Sequence, residues 1–272
     1  MNATLPPRMQ RASGESRVAF AVRDGATRLT DLYQRDPCRI LFPDPEPGEP
    51  PQAVLLTTSG GVTGGDSLKI AVEAGPGTTA IAATQAAEKI YRAARTGGHC
   101  SIDVTITVGA GATLDWLPQE TIVFEGAQLK RRTVADVGAG GSLIACEMVV
   151  LGRAASGERF TDGLLLDAWT VRRAGKLAWT DTLRIEGETP AGAGFGTANS
   201  LATVIGVWDR PQPFFDKARG LLDAADEVRA GVTVVNGVMV ARLLGEATKV
   251  RAATMAFLRD FRGQKLPRVW HV

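Results

Sequence analysis

Three copies of one short pattern limit what this chain can fold into. EAGPGTTAIAATQ places a glycine pair at Gly75, TVGAGATLDWLPQE at Gly109 and DVGAGGSLIACEM at Gly138, 34 and then 29 residues further on. Each copy is a β-type run, a G-x-G turn and a second β-type run. Glycine supplies positive φ at a turn between strands that stack on one another, as solenoid coils require. The middle and last copies run on to an acidic residue at similar depth, Glu120 and Glu147. The units are too degenerate for a regular solenoid. The expected fold is therefore mainly β, a β-helix-like stack of many strands.

The segments around the repeats agree. SIDVTITV, residues 101–108, alternates strictly, with Ile102, Val104, Ile106 and Val108 on one face and Asp103, Thr105 and Thr107 on the other. VLLTT, LKIAV, TIVF, SLIACEMVVL, LLLDAWTV and KLAWTDTLRI are further strand candidates, rich in branched and aromatic residues. In VTVVNGVMVARLL, residues 232–244, Asn236-Gly237 predicts a type I′ hairpin. Helical spacing occurs twice near the C-terminus. Phe214, Ala218, Leu221, Leu222, Ala225 and Val228 mark residues 213–229; Val250, Ala253, Phe257, Leu258 and Phe261 mark 246–262, with Gly263 placed to end that helix. The proline-rich FPDPEPGEPPQ, residues 42–52, reads as an exposed loop. Residues 1–13 are expected to be a flexible tail, loosely attached as far as residue 17, leaving 14–272 as a single domain.

Composition narrows the function classes. With 31 basic and 29 acidic side chains the net charge is +2, which leaves no basic excess for nucleic acid or an anionic membrane surface. No apolar run approaches a membrane span, and the N-terminus lacks a signal-peptide stretch. Cys38, Cys100 and Cys146 have no C-x-x-C spacing. The expectation is a soluble cytoplasmic protein without a disulfide framework.

Two glycine-rich stretches imitate nucleotide sites. TSGGVTGGDSLKI, residues 58–70, has the glycine spacing of a Walker A loop, with Asp66 where the lysine belongs. A carboxylate there repels phosphate, and the strand-like LKIAV that follows offers no helix N-terminus. GPGTTA, residues 75–80, fits the dinucleotide pattern, but the same turn recurs at Gly109 and Gly138 ahead of β-type sequence. No catalytic set and no cofactor-binding motif is found. His99 and Cys100 are adjacent, so on a strand they point to opposite faces, and His271 stands alone.

Carboxylates are the remaining polar chemistry: Asp66, Glu120, Glu147 and Glu158. Glu147 has apolar neighbours on both sides, so it needs a cation, a hydrogen-bond network or water. Several carboxylates facing one interior suit either a glycosidase-like pair in a β-solenoid carbohydrate enzyme or the lining of a passage for a hard or borderline cation.

Longer motifs then carry a resemblance. S-G-G-V-T-G-G-D (59–66), G-P-G with T-Q and K-I-Y-R (75–77, 84–85, 89–92), W-L-P-Q-E-T-I-V-F-E-G-A (116–127), L-G-R-x-A-S-G-E-x-F (151–160) and P-R-V-W (267–270) resemble the urease accessory protein family UreD, also called UreH, in order and spacing. The resemblance covers roughly residues 14–270. Departures are mild, among them Cys38 at a usually aliphatic position and Glu246 where aspartate is frequent. It implies a β-helix-like fold with two helices and a non-enzymatic role in urease maturation. It implies partners: a UreF-like helical protein, through it a UreG-like GTPase, and apo-urease. It also implies transient nickel moving through an internal passage, with no tightly bound cofactor. Poverty in His and Cys suits conduction better than storage, because strong ligation traps the ion. The expected polar lining is Asp66, Thr84, Gln85, Glu120 and Glu147, with Glu158.

Overall fold

A computed structural model describes residues 11–94, 97–153, 156–187 and 194–271. Strands, numbered along the chain, wind in repeated coils. In the first coil β5 (Ser67–Ala74) turns at Gly75–Gly77 into β6 (Thr79–Thr84), which kinks and resumes as β7 (Glu88–Ile90). The second repeats this as β8 (Cys100–Val108), β9 (Thr113–Leu117) and β10 (Thr121–Val123). In the third, β11 (Gln128–Val137) leads into an unbroken β12 (Ser142–Leu151), and β13 (Leu164–Arg173) follows.

Equivalent strands of successive coils pair in parallel. β5, β8, β11 and β13 form the middle of a seven-stranded sheet, and β6, β9 and β12 the middle of a ten-stranded one. The first sheet is completed by the hairpin β1 (Ser13–Arg23) and β2 (Ala26–Arg35) at one edge and by β14 (Lys176–Glu186) at the other. The second gains β3 (Cys38–Leu41) and β4 (Gln52–Thr57) at one end. Its far end carries β15 (Ser200–Val207), β17 (Val238–Gly245) and β16 (Arg229–Val235). The short β7 and β10 pair with each other, and β10 pairs with β12.

The G-x-G turns stack as the repeats predict. Gly77, Gly111 and Gly140 hold φ of +68°, +63° and +67°. The first glycine of each later turn is needed for a second reason, close approach. A Cβ on Gly109 would lie 2.5 Å from the Pro76 nitrogen, and one on Gly138 would lie 2.9 Å from that of Ala110. The Gly77 N–H donates to the Ala110 carbonyl at 2.9 Å and the Gly111 N–H to that of Ala139 at 3.0 Å, so each turn is bonded to the next. The stretch after Gly77 is strand and irregular chain, not the helix of a dinucleotide fold.

One apolar core lies between the sheets, with Val18, Leu68, Val104, Ile106 and Leu129 facing Leu55, Ala82, Leu114, Trp116 and Val149. The alternation of 101–108 places Val104 and Ile106 inward and Asp103 and Thr105 in solvent. A second core covers the outer face of the larger sheet. There Met148, Val204, Met239 and Leu243 meet the helices α1 (Gln212–Asp223) and α2 (Ala247–Arg262). Glu246 caps α2 by accepting from the Thr248 and Lys249 N–H groups, and Gly263 ends it at φ +66°. Asn236 and Gly237 take the two positive φ values of the expected hairpin turn.

Two expectations need correction. The first helix stops at Asp223 instead of reaching residue 229, which begins β16. Asp223, Asp226 and Glu227 crowd acidic charge against the negative end of a helix, which disfavours its continuation. At the N-terminus, residues 13–17 are not tail but the first half of β1, paired with both β2 and β5. Residues 1–10 lie outside the described residues.

Candidate functional site

Burial of polar side chains picks out the inside of the sandwich. In β11 the alternation that turns Leu129, Ala135 and Val137 inward also turns Arg131 inward, although it stands in the run Lys130-Arg131-Arg132. In β13 the same parity brings Asp167 in beside Leu165 and Trp169, and in β12 it brings Glu147 in between Ala145 and Val149. Arg131, Asp167 and Glu147 are all buried. Arg131 donates from Nε to Asp167 Oδ1 at 3.0 Å and from Nη2 to Oδ2 at 2.6 Å. Its Nη1 donates to the Thr121 hydroxyl at 2.8 Å. The same Nη2 touches Glu147 Oε2, in ion-pair contact but without hydrogen-bond alignment.

One guanidinium thus serves two carboxyl groups. Burial pushes the Glu147 carboxyl well above its ordinary range; Arg131 opposes the shift and the nearby charge of Asp167 adds to it. Two carboxyls this close cannot both ionise cheaply on a single counter-charge, which favours the protonated form of Glu147. Beside them lies a cavity of about 270 Å³ lined by Glu147, Asp167, Trp169, Asp181, Thr203 and Arg242, among others. It has acidic oxygens, hydroxyls and no soft ligand.

A second cavity, of about 230 Å³, lies toward the other end of the sandwich, bordered by Ser16, Cys38, Thr57, Thr84, Gln85 and Glu88. Gly60 and Gly61 of the glycine-rich loop border it too, so that loop forms part of a cavity wall. Gly61 fits because a Cβ there would lie 2.6 Å from both the Lys89 carbonyl and the Tyr91 ring. Glu88 meets the Thr57 hydroxyl at 3.3 Å, and burial pushes its carboxyl up to about 7 against that bond. The two cavities are linked by strand register. Glu88 of β7 pairs with Thr121 of β10, the residue that accepts from Arg131. Register partners in parallel strands share a face, about 4.8 Å apart. A polar seam therefore runs Thr57, Glu88, Thr121, Arg131, then Asp167 and Glu147.

The predicted lining divides into three places. Glu147, Thr84 and Gln85 border the two cavities, Glu147 buried and Gln85 exposed to solvent. Glu120 lies in the kink between β9 and β10, where it pairs with Arg251 of α2 on the outer side, so it does not share the depth of Glu147. Asp66 and Glu158 are local fasteners. Asp66 accepts from the Ala12 and Thr63 N–H groups, both at 2.8 Å, pinning the chain entering β1. Glu158 pairs with Arg153 and accepts from the Glu125 N–H at 2.7 Å. His99 is exposed while Cys100 is buried, and no group of three or more His, Cys, Asp or Glu suited to hold a metal occurs among the described residues. Arg131, Asp167, Thr121 and Glu88 escaped the sequence reading. For Arg131 and Asp167 the signal was present in strand parity.

The whole chain, not the seam alone, has relatives. The model of the UreD urease accessory protein family matches residues 12–271. The chain belongs to the UreD family. It is 38% identical to the urease accessory protein UreD of Magnetococcus marinus over 99% of both chains. It is 39% identical to UreD 2 of Methylorubrum populi over 97% of this chain and 92% of that one. Identity to UreD of Xanthobacter autotrophicus is 41%, over 96% and 90%.

In this UreD-family chain the W-L-P-Q-E and P-R-V-W motifs meet in space. Gln119 Nε2 donates to the Gln85 and Val269 carbonyls, each at 2.8 Å, and its N–H donates to the Thr84 hydroxyl at 2.8 Å. Arg251 pairs with Glu120 and donates to Gln119 Oε1 at 3.1 Å, while the Trp270 indole donates to the Leu117 carbonyl at 3.0 Å. The two motifs latch α2 and the C-terminus onto the kinked edge of the coils.

Proposed function

We propose that this chain is a non-catalytic subunit of urease maturation whose interior gives nickel a route toward apo-urease. In this reading it works with a UreF-like protein and, through it, a UreG-like GTPase. The observation that carries the proposal is Glu147 and Asp167 sharing Arg131 beside a cavity that reaches from the buried cluster to exposed Thr182 and Arg242. A carboxyl whose proton affinity is raised beside a charged pair can exchange that proton for a passing cation. Arg131 limits how strongly any ion is held. Nickel binds imidazole and thiolate tightly, so an oxygen-lined route releases it more readily. Family membership supports the urease role, since relatives across nearly the full length bear the urease accessory name.

A carbohydrate-cleaving solenoid is the weaker reading. It needs an open aromatic groove around a carboxylate pair, whereas Glu147 and Asp167 are buried and already committed to one guanidinium. Co-expression with a UreF-like and a UreG-like protein, scored by co-purification and urease activation, tests the proposal. Both are expected; loss of both refutes it.

A further inference from the structure

The seven-stranded sheet ends on β2, an edge strand whose one neighbour in that sheet is β1. It contains no proline, and residues 28–33 are all exposed, Leu29, Leu32 and Tyr33 among them. A long apolar edge of this kind is a template for another strand.

Its charges specify the partner. Across DGATRLTDLYQR, residues 24–35, the charged side chains are Asp24, Arg28, Asp31 and Arg35. When the segment lies antiparallel to a copy of itself about its own midpoint, Arg28 stands opposite Asp31 and Asp24 opposite Arg35. Every charge then meets an opposite one, and the two-fold axis repeats each contact. Face parity agrees. Arg28 and Asp31 pair with Ala21 and Ala19 of β1, so both project from the outer face of the sheet. Thr27 and Leu32 also come opposite one another, and both share the inner parity of Val22 and Val18. The bulge at Leu29–Thr30 falls on the axis, so it interrupts neither arm of the ladder.

We infer that β2 is the interface of a two-fold homodimer, joining the seven-stranded sheets of two copies of this chain into one. Within the chain Asp31 meets Arg17 and Arg35 meets Glu15, while among the described residues Asp24 and Arg28 have no ion-pair partner. Exposed pairs such as these are weak and leave room for a partner across the interface. The sheet's other edge, β14, lacks this property. No antiparallel register there sets all of Lys176, Asp181, Arg184 and Glu186 against opposite charges. A single strand pair is a small interface, so the dimer is a dissociable one. The strands β1, β5 and β8 separate β2 from β11, which carries Arg131, so the dimer stands or falls apart from the nickel passage.

Analytical ultracentrifugation of the full chain across the micromolar range should show a reversible monomer–dimer equilibrium. Arg28→Asp or Asp31→Arg alone sets like charges opposite each other and should weaken dimerisation about tenfold or more. An equimolar mixture of the two variants restores opposite charges at both contacts and should regain the wild-type dimer. That recovery would also show that each variant folds. A wild-type chain that stays monomeric, a dimer indifferent to both variants, or a mixture no better than its components overturns the interface. The first of these results is the one expected if β2 instead seats a strand of another protein.

Discussion

Arg131 grips Asp167 through two hydrogen bonds, 3.0 and 2.6 Å, inside the sandwich where neither side chain meets solvent. The pair holds two neighbouring strands together on the inner face of the first sheet. It also leaves Glu147, facing it from the second sheet, with only a share of a positive charge. Arg131→Leu should therefore be severe, because it strands two acidic groups in the core. A loss of about 3–5 kcal/mol is expected. Glu147→Gln should cost far less, since burial already disfavours its ionised form and Asp167 still balances Arg131. Urea denaturation of both variants at neutral pH checks the ordering.

Glu88 gives a pH dependence of defined sign. Its folded pKa, about 7, lies above the ordinary value of 4.5. Folding therefore favours the protonated carboxyl, and the stability this confers is complete below about pH 4.5. It is lost as pH rises through 7, by on the order of 3 kcal/mol. Denaturation of the metal-free chain between pH 4.5 and 8 should show the decline, and Glu88→Gln should flatten it.

The stacked turns separate two uses of glycine. Gly111→Ala meets no atom within 4 Å and carries only the cost of a left-handed residue, about 1 kcal/mol. Gly109→Ala drives a methyl group against the Pro76 and Gly75 backbone and must disturb the coil stack. It should lower the thermal midpoint markedly more than Gly111→Ala, as calorimetry of the two variants would show.

The latch on α2 can be weakened from either motif. Trp270→Ala empties a fully buried site and should cost about 3–5 kcal/mol. Gln119→Ala leaves the Gln85 and Val269 carbonyls without their donor and should cost about 1–3 kcal/mol. Hydrogen exchange should report faster opening of α2 in both.

The coil architecture was legible because repeated G-x-G turns and strict alternation are local signals. Gly75, Gly109 and Gly138 mark the turns, and the parity of 101–108 marks an inward face. The end of α1 was not legible from spacing alone, since Ala225 and Val228 keep the helical period while the acidic residues around them end the helix. Within the site, Glu147 was visible as a carboxylate among apolar neighbours. Arg131 was hidden in a basic run, where charge argues for solvent and only parity with Leu129 and Ala135 argues for burial. Glu88 was hidden because its partners, Thr57 and Thr121, come from different coils. Asp66 drew notice through its odd place in a glycine loop. Its oxygens are occupied by the Ala12 and Thr63 N–H groups, a role in turn geometry that residue type alone does not reveal.

The most direct measurement is the nickel content of urease matured in the presence of a Glu147→Gln variant, with its UreF-like and UreG-like partners supplied. The variant keeps the shape of the side chain and leaves Asp167 to balance the buried Arg131, but removes the exchangeable acidic group that faces the pair. If nickel moves along the seam, urease should hold severalfold less metal than with the wild-type chain while the accessory complex still co-purifies. Full nickel loading by an assembled Glu147→Gln complex would contradict the passage.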